Sequence, residues 1–200
     1  DIAGNIRDLN PDMGAYEIQM GAADVYVETI LNPPAIVQPS TIYPVTARIL
    51  NASLTPLTSV RLHYQLGNQP EVVQVFPMSL LSGDSLDLTF SQSLTTPASG
   101  SLVLTVWSDL PNGVSDANPG NDTARALLCQ PLAGGTYTVG QSPNNDFNSF
   151  ASLFEILSCG GVSGPVTIQL NADNNSLNEQ IIVPAIPGLS ANQPLILDGM

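Results

Sequence analysis

The chain has 200 residues, 43% of them hydrophobic, which is enough for a packed core. Lys and Arg together number 4 against 17 Asp and Glu, for a net charge of −13. So acidic a surface repels phosphate backbones and anionic lipid, which excludes nucleic-acid binding and membrane contact by this chain.

Charged residues make up only 10%, and there is no lysine at all. Low charge with abundant Thr, Ser, Asn, Gly and Pro is the composition of an extracellular or cell-surface β-protein. No apolar run is long enough to span a bilayer, and no signal peptide is present. The opening at Asp1 and the close at Leu195–Met200 both read as cuts through longer motifs, so export signals and anchors are expected outside this chain.

Three segments follow one another. Residues 1–21 are short and rich in Asp, Asn and Gly. Residues 22–130 carry alternating apolar and polar runs: Val25–Thr29, Val45–Ile49, Val60–Leu66, Val72–Phe76, Leu86–Phe90, Leu102–Val106 and Thr123–Leu128. A period of two means one buried face and one wet face. Turn clusters separate the runs, at Asn32-Pro-Pro34, Gly67-Asn68, Ser82-Gly-Asp84 and Pro111-Asn-Gly113. About seven short strands in this space predict a mainly β fold, an immunoglobulin-like sandwich. No cysteine pair joins its two sheets, so its apolar core must hold it together.

Residues 131–200 open with a strand at Thr136–Val139. Asp146 then precedes Phe147, Phe150, Leu153, Phe154 and Leu157, whose spacing puts all five on one helical face. Cys159-Gly160-Gly161 ends that helix, because glycine readily takes the left-handed conformation a helix end needs. Short strands are expected at Val166–Leu170, Gln180–Val183 and Leu195–Leu197. A one-faced helix before unevenly spaced strands predicts a capping helix over the first coils of a parallel β-helix, whose open end needs covering. Cys129 and Cys159 either pair or stay as two separate thiols; an oxidising compartment favours the bridge. Such a bridge would clamp the last sandwich strand to the end of the helix.

Residues 22–129 resemble the bacterial cell-adhesion-related domain called CARDB. The likeness lies in Asp24-Val-Tyr-Val27, in Leu81-Ser-Gly-Asp-Ser-Leu86, and in Val106-Trp-Ser-Asp109 leading through Asn112-Gly-Val114 to Asn118-Pro-Gly-Asn-Asp-Thr123. Residues 1–17, ending Pro11-Asp-Met-Gly-Ala-Tyr-Glu17, resemble the closing segment of a secreted right-handed parallel β-helix. Residues 133–200, with Gly135-Thr-Tyr-Thr-Val139, Cys159-Gly-Gly-Val-Ser-Gly-Pro-Val166 and Glu179-Gln-Ile-Ile-Val-Pro184, resemble the opening of another. These resemblances imply a sandwich between two β-helices in a large exported protein of Bacteroidetes-type bacteria.

Catalytic chemistry finds few residues to work with. His63 is the single histidine and lies on the polar side of its strand, so a triad or a zinc site is not expected. Asp84 and Asp87 flank a surface turn and strand rather than a cleft. No cofactor is expected apart from calcium. The candidate calcium ligands are Asp109, Asp116, Asn118, Asn121 and Asp122, together with Asn112, because calcium takes six to eight hard oxygens from a flexible loop. The alternative is an Asn/Asp turn bonding its own backbone. Asp8, Asp12 and Glu17 form a second, weaker acidic group. Trp107 is out of phase with Leu102, Leu104 and Val106, which places it on the outer sheet face with Val103 and Thr105 as a candidate sugar platform. The expected function is a non-catalytic structural and adhesive module, with an extracellular glycan or surface protein as partner. The alternative is an accessory segment of a polysaccharide-degrading β-helix enzyme whose catalytic coils lie elsewhere.

Overall fold

A computed structural model of the chain describes residues 23–171 and 179–199. The segment read as a β-helix remnant, with Asp8, Asp12 and Glu17, lies outside the described residues.

Residues 25–128 form nine strands, two of which are only two residues long. Strands β1 (Val25–Asn32), β3 (Thr46–Asn51) and β6 (Ser85–Thr89) make one antiparallel sheet, in the order β1-β3-β6. Strands β4 (Leu57–Leu66), β5 (Val72–Leu80), β8 (Leu102–Asp109) and β9 (Thr123–Leu128) make another, in the order β5-β4-β8-β9. The short β2 (Ile42–Tyr43) and β7 (Leu94–Thr95) pair with each other. Alternation sets which side chains face inward. Val25, Val27, Ala47 and Ile49 of the first sheet meet Val60, Leu62, Tyr64, Leu104 and Val106 of the second in a single core. Pro77 is tolerated because β5 is an edge strand, where one backbone N–H has no ladder partner to lose.

One polar side chain is locked into this core. Asn51 is 0% exposed at the end of β3. Its Nδ2 donates to the carbonyls of Thr55 (2.9 Å) and Leu80 (3.0 Å), and its Oδ1 accepts from the backbone N–H and the hydroxyl of Ser53. The side chain thus closes the turn into β4 and ties it to the edge strand.

The remaining chain is a different kind of sheet. Strands β10 (Gly135–Val139), β11 (Val166–Leu170) and β12 (Leu195–Asp198) run parallel in that order. Helix α1 (Phe150–Gly160) crosses between the first two. Its start is Ser149, whose side chain accepts from the Ser152 N–H, and not Asp146, whose carboxylate binds the Thr138 N–H (2.8 Å) and hydroxyl (2.9 Å) instead. Leu153, Phe154 and Leu157 pack with Val139, Val166 and Ile168, so the apolar helix face does cover the sheet. Gln180–Val183 is not a strand: among the described residues it has no ladder partner, and Ile182 is 82% exposed. An apolar run without a ladder partner has no reason to extend as a strand.

Two features join the parallel sheet to the sandwich. Cys129, just after β9, is disulfide-bonded to Cys159 in the last turn of α1, with Cα atoms 5.5 Å apart. Gly160 then lies so close to the backbone of Gln130 and Pro131 that any Cβ there would overlap the Gln130 carbonyl. Cys129 also exchanges backbone bonds with Ala35 (2.8 Å) and Val37 (2.9 Å), so the joint is anchored in the sandwich.

Two outcomes test this packing. Asn51→Ala should cost about 2–4 kcal/mol in denaturant unfolding, since it removes the bonds to the buried Leu80 carbonyl and the part-buried Thr55 carbonyl. Paired Cys129→Ser and Cys159→Ser substitutions should lower stability by about 3–4 kcal/mol, given a sequence separation of 30 between the bonded residues. Hydrogen exchange should show that loss concentrated in α1 and β10; uniform loosening of the sandwich instead would contradict it.

Candidate functional site

Two polar clusters stand out, one at an end of the sandwich and one on the outer face of its larger sheet.

The first is the loop between β8 and β9. Its first half is pinned: the Asn112 Oδ1 accepts from the Thr58 N–H (2.6 Å) and hydroxyl (3.0 Å), and its Nδ2 donates to the Pro56 carbonyl (3.1 Å). Asn112 adopts a φ of 51°, a left-handed conformation that Asn tolerates better than most residues. Its second half folds back on the start of β1. The Asp116 carboxylate accepts from the backbone N–H groups of Val25 (2.9 Å) and Asn118 (2.7 Å), and the Asn121 Nδ2 donates to Asp24 (3.2 Å).

The loop therefore gathers Asp24, Asp116, Asn121 and Asp122, a different set from the one the sequence suggests. Asp24 lies far away in sequence and joins because β1 runs beside β8 and β9. Asn118 takes part through its backbone N–H. Asp109 is drawn off in another direction: Arg61 clamps both of its oxygens and His63 Nε2 bonds one at 3.0 Å. Among the described residues, no three His, Cys, Asp or Glu side chains are arranged around one point as metal ligands.

The electrostatics of this end are unfavourable as they stand. Asp122 is only 6% exposed, and its Oδ1 has no hydrogen-bond partner among the described residues. The Asn121 Oδ1 is likewise unpartnered. Burial first, then the neighbouring charges of Asp116, Asp24 and Asp109, push the Asp122 carboxyl up to about 7. Asp24 is also raised, chiefly by burial, with Asn121 opposing and Asp116 adding.

The second cluster covers β4, β5 and β8. Register places His63 opposite Val73 on one side and Trp107 on the other, and Arg61 opposite Val75 and Asp109. The His63 and Trp107 rings stack, with centroids 5.0 Å apart and planes 12° from parallel. Trp107 is on the outer face with Val103 and Thr105, but half-buried against this neighbour rather than standing free. His63 is on the polar face yet only 6% exposed, where the period of two alone implies a wet side chain. Its two ring nitrogens meet the carboxylates of Glu71 and Asp109. The Arg61 bonds first, and those of His63 after them, hold Asp109 below the usual carboxylate range. Arg48 and Asp87 form a separate, exposed pair at 2.6 Å on the other sheet, which removes Asp87 from any pairing with Asp84.

The two clusters predict opposite pH behaviour. Asp122 has a folded-state pKa of about 7 against an ordinary 3.8, so its contribution to stability is full below about pH 4 and is lost as pH rises through 7. Asp109 has the reverse sign, and its stabilisation is lost only as pH falls through the acid range. Unfolding midpoints should therefore fall between about pH 4 and 7, and Asp122→Asn should flatten that slope; an unchanged slope contradicts the assignment.

No protein-family model matches the chain. No curated protein matches it either. Among solved structures it is similar to the CARDB domain of a Pyrococcus furiosus protein in complex with di-metal ions, at 18% identity over 54% of this chain and 93% of that one, with a TM-score of 0.43. A solution structure of the same domain gives 21% identity over 54% and 94%, with a TM-score of 0.42. A domain from Methanosarcina acetivorans, of a protein described as a cell surface protein, is 28% identical over 53% of this chain and 90% of that one, with a TM-score of 0.41.

Proposed function

We propose that this chain is a non-catalytic structural and adhesive module of a larger secreted or cell-surface protein. The observation that carries this reading is the joint between the two sheets. A disulfide and a glycine-tight backbone contact fix a sandwich to a parallel-stranded unit, as a protein that must hold a shape outside the cell requires. Strands β10, β11 and β12 follow one another in parallel at intervals of roughly 30 residues, which fits successive coils of a β-helix under the cap α1. The ordered use of His63, Asp109 and Arg61 against one another supports the absence of catalysis, since their hydrogen-bonding atoms are turned to each other on a sheet face.

The end of the sandwich is the proposed calcium site within this reading. Asp122 Oδ1 and Asn121 Oδ1, both buried and unpartnered, with Asp24 or Asp116 and water, supply hard oxygens of the kind calcium takes. A bound cation would offset the burial, and the lesser repulsion from Asp116, Asp24 and Asp109, that raise Asp122.

Two experiments separate these parts. Pure chain incubated with pectin, alginate or xylan should release no product; turnover abolished by a single substitution would sink the non-catalytic reading. Millimolar calcium at pH 7.5 should raise the thermal midpoint of the wild-type chain, following RT ln(1 + [L]/Kd), and leave Asp122→Asn unmoved. Equal response of the two chains, or none in either, removes calcium and leaves the structural role intact.

A further inference from the structure

The joint encloses a cleft of about 540 Å³ that the structural role does not use. One wall comes from the sandwich, from Pro39 and the loop Ala98–Ser101; the other comes from Tyr137, Phe147 and Ile156 of the parallel-stranded unit; Gln130 lies between them. The volume falls within the range of about 300–1,000 Å³ common to small-ligand sites, which favour the seams between units.

Its chemistry is uneven in an informative way. Tyr137 and Phe147 present two aromatic rings with centroids 6.0 Å apart and planes inclined at 52°. The Tyr137 hydroxyl donates to the Ala133 carbonyl at 3.0 Å, which fixes that ring. Gln130 is 6% exposed; its Nε2 donates to the Pro97 carbonyl (2.8 Å), and its Oε1 has no partner among the described residues. Asp146 uses one oxygen on Thr138, and its other has no hydrogen-bond partner among the described residues. The seam therefore offers apolar ring faces beside Gln130, whose buried amide oxygen lacks a donor, and the exposed carboxylate of Asp146. A buried amide oxygen without a donor costs free energy that a ligand hydroxyl would return.

The geometry points to a binding site for a neutral pyranose unit of a glycan. Such a ring brings hydroxyl donors for Gln130 Oε1 and Asp146, and a C–H face for Tyr137 and Phe147. Anionic sugars are opposed by Asp146 and by the net charge of −13. The site deepens the surface-module reading by giving it a ligand and a place, away from the Trp107 face; a chain with an empty cleft would still serve as a spacer. Because Gln130 follows Cys129 directly, the disulfide that rigidifies the joint also sets the width of the cleft.

Calorimetric and amide-NMR titration of the whole chain with cellotriose, maltotriose and xylotriose tests this, with a glucuronate trimer as the anionic control. At least one neutral trimer should bind, shifting amides at Gln130, Tyr137, Phe147 and Gly100. Tyr137→Leu should weaken it at least about tenfold, and Asp146→Asn should weaken it while keeping the Thr138 bonds and the fold. Trp107→Phe should leave affinity unchanged, and the paired Cys129→Ser and Cys159→Ser chain should bind more weakly. Absence of binding by all three trimers, shifts centred on Trp107 and Thr105, or equal binding of the glucuronate trimer would each overturn the proposal.

Discussion

The bond between Cys129 and Cys159 is placed where two incompatible sheets meet. An antiparallel sandwich ends at β9 and a parallel sheet begins at β10, with no ladder running continuously from one to the other. The intervening stretch is short and rich in Pro, Ala and Gly, and such a linker buries too little apolar surface to fix an orientation alone. The disulfide supplies the constraint by tying the linker's first residue to the helix that caps the second sheet. Gly160 makes the approach possible, since a side chain there would collide with the Gln130 carbonyl. Gly161, at a φ of 71°, then turns the chain away from the helix and toward β11.

The two sheets of the sandwich treat their polar residues differently. On the outer face of the larger sheet, the acids are all engaged: Arg61 and His63 share Asp109, and Glu71 takes the other side of the imidazole. Because Trp107 covers His63, this network is partly shielded from water, and each bond in it counts for more than an exposed pair. At the end of the sandwich no cation is within reach of Asp24, Asp116 and Asp122 among the described residues, and burial makes their mutual repulsion harder to screen. A chain this poor in Arg and Lys has charge to balance one such cluster and not both.

The tertiary structure also changes what each candidate residue means. Trp107 reads from sequence as an isolated aromatic on a wet face, whereas in the fold it is the cover of a buried histidine. Asn51, which opens a glycosylation-like Asn-Ala-Ser triplet, is a core fixture whose amide is wholly engaged. Gln130, Tyr137 and Asp146 carry no sequence pattern that links them, because the cleft they share exists only once the joint has closed.

What the sequence alone determined was local and periodic. Alternation along Val25–Thr29, Val60–Leu66 and Leu102–Val106 dictated strands and their inward faces, because side chains on a strand must point to opposite sides. The one-sided run from Phe147 to Leu157 likewise predicted a helix with a single apolar face, although Phe147 itself lies ahead of the helix, bridged to Val139. Even there the boundary was not legible: Asp146 and Ser149 are both good caps, and the choice fell to Ser149 because β10 offered Asp146 the Thr138 donors. Long-range matters were decided by the fold. Asp24 joined the acidic loop, and Asp109 left it, through strand register that no local pattern encodes. Gln180–Val183 had a strand's composition but no neighbour to pair with among the described residues, and a strand exists only through its partner's hydrogen bonds.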